Sequence, residues 1–229
     1  MISDWWREVG DTPEPSSPVL LIVVADDPGA VSTLPADFGQ QWLAATLDGA
    51  TPTARLADRL RVQIHHAQSP EIPDGHDLLL LADAGRGLTT LAAQIACTEL
   101  PAEPQLVTGF GSGISDVQWM SKVGSVRDRA RDAESPPAPL GLLAAILEQA
   151  ADRGLPTLMD GAVSAAAAVL ADRLPPLQVP AVGREPAQHQ LLDRLNLGGW
   201  GGMGIDPGLG LGSLSGLAML QVALLVADV

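Results

Sequence analysis

The chain has no tyrosine, two phenylalanines, one cysteine and one lysine in 229 residues, and each scarcity removes a class of function. Five tryptophans complete its aromatic content, so it offers no ladder of rings on which single-stranded bases could stack. A lone Cys97 cannot close an internal disulfide, which fits a reducing, cytoplasmic setting. Lys122 is the only lysine, and 27 acidic side chains outnumber 13 basic ones, for a net charge of -14. Nucleic acids and anionic membranes are bound mainly through clustered Lys and Arg, so neither is an expected partner. Long hydrophobic runs are missing too. The longest, residues 217–226, is interrupted by Gln221 and is shorter than the ~20 residues a bilayer needs. It predicts a buried C-terminal helix. Residues 1–18, MISDWWREVGDTPEPSSP, show neither the basic start nor the apolar stretch of a secretion signal. They read as an N-terminal tail, pinned by Trp5 and Trp6 to the body or to a partner subunit.

What the chain does have is apolar runs alternating with glycine turns and alanine-rich stretches. Its length and 46% hydrophobic content suit one domain, over 19–229, burying roughly 70% of its unfolded surface. Residues 19–25 (VLLIVVA) are continuously apolar and β-branched, as in a strand covered on both faces. Residues 35–47 and 51–60 predict helices, the second opened by Thr51 as cap with Pro52 in the first turn. An alternating segment at 61–65 suits an edge strand. There His65 and His66 point to opposite faces and do not share a metal. A second buried strand is expected at 77–82, then a glycine turn at 83–90 with a threonine cap and a helix at 91–100. Another glycine turn, 109–116, opens a longer helix in which Val117, Met120, Val123 and Val126 recur at helical spacing. Further helices are expected at 141–151 and 162–174, and strands at 155–159 and 178–182. Nine glycines fall among the nineteen residues of 198–216. Strand, glycine turn and helix in repetition predict an α/β fold: a parallel sheet flanked by helices, Rossmann-like and three-layered.

In such a sheet, ligands bind beyond the carboxyl ends of the strands. Glycines there let backbone N–H groups approach an anion, and a helix N-terminus favours negative charge. Three glycine-rich turns could form a phosphate cradle that needs no lysine. The Walker pattern is not present, and the 109–116 turn does not carry the dinucleotide Gly-x-Gly-x-x-Gly pattern, since Ile114 occupies the third glycine position after Gly109 and Gly111. Asp83, at a strand terminus, could orient a substrate, act as a base or cap the turn.

These turns resemble the nicotinate-nucleotide–dimethylbenzimidazole phosphoribosyltransferase family. ADAGRGLTT at 82–90 lies over the family's Gly-Glu/Asp-Met-Gly-Ile-Gly-Asn-Thr-Thr. GFGSGISD at 109–116 looks like its Gly-Arg-Gly-Thr-Gly-Ile/Leu-Asp-Asp, and MDGA at 159–162 is similar to its Leu-Asp-Gly-Phe. ADDPG at 25–29 resembles Ala-Asp-His-Gly-Val less closely, and Glu185-Pro186 followed by Leu191-Leu192-Asp193 matches a Glu-Pro pair and helix. The five matches run in order from residue 19 to the C-terminal region.

The resemblance implies binding of nicotinate mononucleotide. Gly85, Arg86, Gly87, Thr89, Thr90, Gly111, Ser112, Gly113, Ser215 and Gly216 would lie around the phosphate and nucleotide. An aromatic base of the benzimidazole type would take the ribosyl phosphate, with no metal and no cofactor. The family's Leu-Gly-Glu-Gly-Thr/Ser-Gly-Ala, whose glutamate is regarded as the catalytic base, corresponds to LGSLSGL at 211–217, with Ser213 at the glutamate. Leu88 stands for the family's asparagine. The chain is about a third shorter than the usual member and does not carry its opening Pro-Gly-Ser-Leu-Gly segment. Two readings follow. One is an enzyme in which Asp83 or Asp160 supplies the acid–base role. The other is a catalytically inactive relative serving as a binding or regulatory module, or as partner subunit of a full-length paralogue. The family resemblance further implies a homodimer.

Overall fold

The structure, a computed structural model, describes residues 2–100, 102–201, 206 and 208–227. Five parallel strands form one sheet: β1 (Pro18–Val24), β2 (Gln63–His66), β3 (Leu78–Ala84), β4 (Thr157–Leu158) and β5 (Leu177–Gln178), in the order β2-β1-β3-β4-β5. Around it lie α1 (Ile2–Val9), α2 (Phe38–Leu47), α3 (Pro52–Arg59), α4 (Leu88–Glu99), α5 (Pro104–Val107) and α6 (Asp116–Arg131). The chain continues through α7 (Ala138–Asp152), α8 (Ala162–Leu170), α9 (Pro186–Leu195) and α10 (Leu211–Ala227). This is the three-layer α/β architecture expected from the sequence.

The two cores follow from strand geometry, because successive side chains of a strand point to opposite faces. Val19, Leu21, Val23, Leu79 and Leu81 enter one core with α4, α7, α8 and α9. Leu20, Ile22, Leu78, Leu80 and Ala82 enter the other with α1, α2, α3 and α10. Burial on both sides explains why these segments read as unbroken apolar runs. The edge strand expected at 61–65 is β2, which begins two residues later and ends one later, at 63–66. Thr51 accepts a hydrogen bond from the Ala54 N–H at 3.2 Å and so caps α3, with Pro52 in the first turn.

Several boundaries and faces differ from expectation. Within the supposed tail, residues 2–9 form α1. Trp6 is fully buried and donates its indole N–H to the Thr12 carbonyl at 2.9 Å, and α1 packs on α10. Trp5 packs on Trp6 and on Trp200. Strand β3 runs two residues further than expected, so Asp83 is part of the strand rather than the opening of a turn. Helix α4 starts at Leu88 behind Gly87, which has φ +85°, and Thr90 lies inside the helix, not at its cap. Helix α6 has the expected register and a capping box from Ser115 and Gln118. Yet of the four residues at that spacing Val123 and Val126 are buried, while Val117 and Met120 face outward. Helix α10 is longer than expected, and Val222, Leu225 and Val226 at its end are exposed. No helix of the described residues is long and apolar enough to cross a membrane.

Because Trp6 fills the face between α1 and α10, Trp6→Ala is expected to cost about 3–5 kcal/mol in chemical denaturation. Half-exposed Trp5→Ala should cost clearly less. Equal small losses for both would contradict a docked α1.

Candidate functional site

In the order 2-1-3-4-5 the connections reverse direction between β1 and β3, and the crevice beyond their carboxyl ends is the place such a sheet leaves open. A cavity in two lobes lies there. The larger, about 550 Å³, is bounded by the Thr108–Gly113 segment, Trp119, the start of α8 and residues Gly183–Pro186. The smaller, about 250 Å³, is bounded by Val31, Ser32, Leu34 and Phe38 after β1, by Gly85, Gly87, Leu88 and Thr89, and by Leu209. Asp83, Thr89, Phe110, Gly111 and Gly208 face both lobes.

Asp83 is 9% exposed, and burial pushes its carboxyl up to about 8, with the neighbouring Asp160 carboxylate adding to the rise. Such a group holds a proton at neutral pH and gives up its place as donor only in mild alkali. Asp160, at the end of β4, is wholly buried and serves differently. Its oxygens accept the N–H groups of Gly208 at 3.1 Å, Gly210 at 2.6 Å and Gly212 at 2.7 Å. Burial raises its pKa and those donors oppose the rise, since they favour the charged form. The carboxylate thereby satisfies N–H groups at the start of α10, where negative charge also suits the helix dipole. Its lone pairs are committed to backbone, which sets Asp160 beneath the glycine segment rather than open to a ligand.

The glycine turns are built by close approach. A Cβ on Gly85 would come within 1.7 Å of the Ala25 carbonyl oxygen, so the crossing of the two strand ends admits only glycine. Gly111, at φ +52°, donates its N–H to Glu185 Oε1 at 2.9 Å. Ser112 bonds the Ser32 hydroxyl and the Thr33 N–H, both at 3.0 Å, which ties this turn to the loop after β1. Gly87, Thr89 and Gly113 also reach the cavity, so Asp83, Gly85, Gly87, Thr89, Gly111, Ser112 and Gly113 line it together.

Other candidates go elsewhere. The Arg86 guanidinium donates to the carbonyls of Leu34 and Ala30, the latter at 2.7 Å, and so braces the loop after β1 rather than holding an anion. Thr90 is buried within α4, its hydroxyl without a partner among the described residues. Ser213 is buried and its hydroxyl donates to the Leu81 carbonyl at 2.8 Å, docking α10 on β3. A hydroxyl so committed is neither base nor nucleophile. Ser215 lies further along the same helix. Gly216 gives passage to Pro180, whose Cγ would be 2.2 Å from a Cβ there.

Four residues of the cavity wall were not among the sequence candidates. Lys122, 2% exposed, donates to the Gly109 carbonyl at 2.9 Å and the Thr89 hydroxyl at 3.0 Å. Burial lowers its pKa, and the nearby Glu185 carboxylate opposes that. The cradle thus does have its lysine, set behind the turn. Glu185 Oε2 is buried with no partner among the described residues. Phe110 stacks on Trp119 with ring centroids 5.9 Å apart, and Trp119 is anchored by the Thr108 carbonyl at 2.8 Å. A solitary lysine and a Glu-Pro helix start were the signals available for the first two. Among the described residues, no group of three His, Cys, Asp or Glu side chains is placed to hold a metal ion.

A family model described as "Phosphoribosyltransferase" matches residues 66–228. The chain is 36% identical over 170 residues to the nicotinate-nucleotide–dimethylbenzimidazole phosphoribosyltransferase of Corynebacterium glutamicum, covering 67% of this chain and 48% of that protein. It is 37% identical over 194 residues to the protein of the same name from Corynebacterium efficiens, covering 77% and 52%. The chain therefore spans about half the length of the curated relatives it matches. In fold it superposes on CobT from Thermus thermophilus with a TM-score of 0.84 at 19% identity, over 99% of this chain and 90% of that one.

The raised pKa of Asp83 has a stability consequence. The unfolded chain loses this proton near pH ~4 and the folded chain near pH 8, so folding stability attributable to the group is full below the lower value and is lost as pH rises to the upper one. Asp83→Asn abolishes that decline. The variant is expected to gain stability over the wild type from pH 5 to pH 8 in urea titrations. Parallel pH profiles would contradict the assignment.

Proposed function

The chain belongs to the nicotinate-nucleotide–dimethylbenzimidazole phosphoribosyltransferase family, and on that premise we propose that its two-lobed cavity binds a ribosyl phosphate such as nicotinate mononucleotide and passes the phosphoribosyl group to an aromatic base. The observation that carries this reading is the position of Asp83, a buried carboxyl at the sheet's switch point facing both lobes at once.

The larger lobe suits the nucleotide. The first turn of α8 offers N–H donors to a phosphate, and Lys122 supplies positive charge behind the 109–113 turn, whose Gly111 and Gly113 amides are held by Glu185 and the Phe110 carbonyl. The smaller lobe, with Val31, Leu34, Phe38, Leu88 and Leu209 on its walls, suits a flat apolar heterocycle. A ring nitrogen of the base then attacks the anomeric carbon from the face opposite nicotinate. The new C–N bond forms as the old one breaks, and its electron pair leaves with the pyridine nitrogen of nicotinate. The attacked heterocycle carries an extra positive charge until its other nitrogen loses a proton, and ionised Asp83 is the group placed to take it. Asp160 shapes the floor by holding the start of α10.

A second reading is favoured by Ser213, whose hydroxyl is bound to the Leu81 carbonyl, so that α10 brings no carboxylate to the cavity at this position. In that reading the chain binds the nucleotide without turning it over, as a module or as partner of a full-length paralogue. Association, as a homodimer or such a heteromer, is supported by the exposed Val222, Leu225 and Val226 on α10.

Incubation of the purified chain with nicotinate mononucleotide and 5,6-dimethylbenzimidazole separates the readings. The transferase is expected to release nicotinate at a rate that climbs as pH rises through about 8. Asp83→Asn should lower that rate about 10²–10⁴-fold, and Ser213→Ala should leave it nearly intact. Saturable nucleotide binding without release would establish the module instead, and no binding of any ribosyl phosphate would sink both.

A further inference from the structure

Arg86, set between two glycines after β3, and Asp27, just after β1, meet in one structural device. The segment after β1 has no helix until Phe38. An irregular stretch of this length keeps one shape only if its backbone groups are held.

Arg86 holds it from beneath. Its Nη1 donates to the Leu34 carbonyl and its Nη2 to the Ala30 carbonyl at 2.7 Å, while the Asp27 N–H donates to the Arg86 carbonyl at 3.0 Å. Asp26 closes the base of the loop, accepting the Arg86 N–H at 2.7 Å and the Gly39 N–H at 2.9 Å. From the other side, the Asp27 carboxylate pairs with Arg129 on α6. The residues so held, Val31, Ser32, Leu34 and Phe38, form one wall of the smaller lobe, and none of them lines the larger.

We infer that Arg86, with the Asp27–Arg129 pair, is a positioning device that fixes the shape of the smaller lobe and so sets the affinity for the acceptor base without touching it. The planar guanidinium matters because one rigid fork spans two carbonyls four residues apart, which a lysine ammonium does not reproduce. This rests on the assignment of the smaller lobe to the base under the proposed function.

The test titrates nicotinate mononucleotide and 5,6-dimethylbenzimidazole separately into the full chain and into Arg86→Met, Arg86→Lys and Arg129→Met, with amide hydrogen exchange measured in parallel. Arg86→Met is expected to weaken base binding tenfold or more and to leave nucleotide binding within twofold. Arg86→Lys should recover only part of the loss, and Arg129→Met should act in the same direction. Exchange should accelerate over residues 30–38 and not in β1 or β3. Equal weakening of both ligands, full recovery by lysine, or unchanged exchange over 30–38 would overturn the inference. If the wild type binds neither ligand, the proposed function fails. The latch then stands or falls on the exchange data alone: acceleration confined to 30–38 upholds it, and unchanged exchange overturns it.

Discussion

A parallel strand pair such as β1 and β3 leaves neither face to water, because the crossovers that join parallel strands lay helices over both. Their side chains alternate into two cores, and every larger feature follows from that obligation. One set of helices, led by α4 and α8, covers one face; α1, α2, α3 and α10 cover the other. With both faces closed, the crevice where the connections part between β1 and β3 is the natural opening, and it is there that Asp83 emerges near the end of a wholly buried strand. Burial of that carboxyl is therefore imposed by the architecture, and its raised pKa is a direct result.

The site around it is organised by carboxylates that bind backbone. Asp160 gathers three glycine N–H groups at the start of α10, Asp26 holds the start of α2, and Glu185 takes the Gly111 N–H. In each case a charged group far away in sequence shapes a segment that glycine makes pliable. An acidic chain can thus build a cavity for an anionic ligand, provided its carboxylates are spent on N–H groups and its single lysine is placed behind the turn.

How much of this could be read from the sequence depends on the range of the interactions. The runs of β1 and β3 and the Thr51–Pro52 start of α3 were legible, because burial on both faces and capping leave local marks. Helix α1 was not: eight residues are too few to be stable alone, and its reason to exist is Trp6 meeting α10. The periodicity of α6 was legible but its facing was not, since Val117 and Met120 keep helical spacing while turning outward. The glycine turns announced a cavity at the strand ends. The tasks of Arg86, Asp160 and Lys122 stayed hidden, because each finds its partners far along the chain: Arg86 reaches carbonyls 52 and 56 residues back, and Asp160 reaches amides 48 to 52 residues on. A basic residue on a glycine turn looks like an anion ligand until those carbonyls are in place.

Central to all of this is the proposal that the two lobes hold the two halves of one transfer reaction, with Asp83 between them. A crystal structure of the chain with nicotinate mononucleotide tests it most directly. The phosphate is expected against the 109–113 turn and the first turn of α8, with the anomeric carbon turned toward Asp83 and the smaller lobe. A nucleotide lodged outside this cavity, or within it with the anomeric carbon turned away from Asp83, would contradict it.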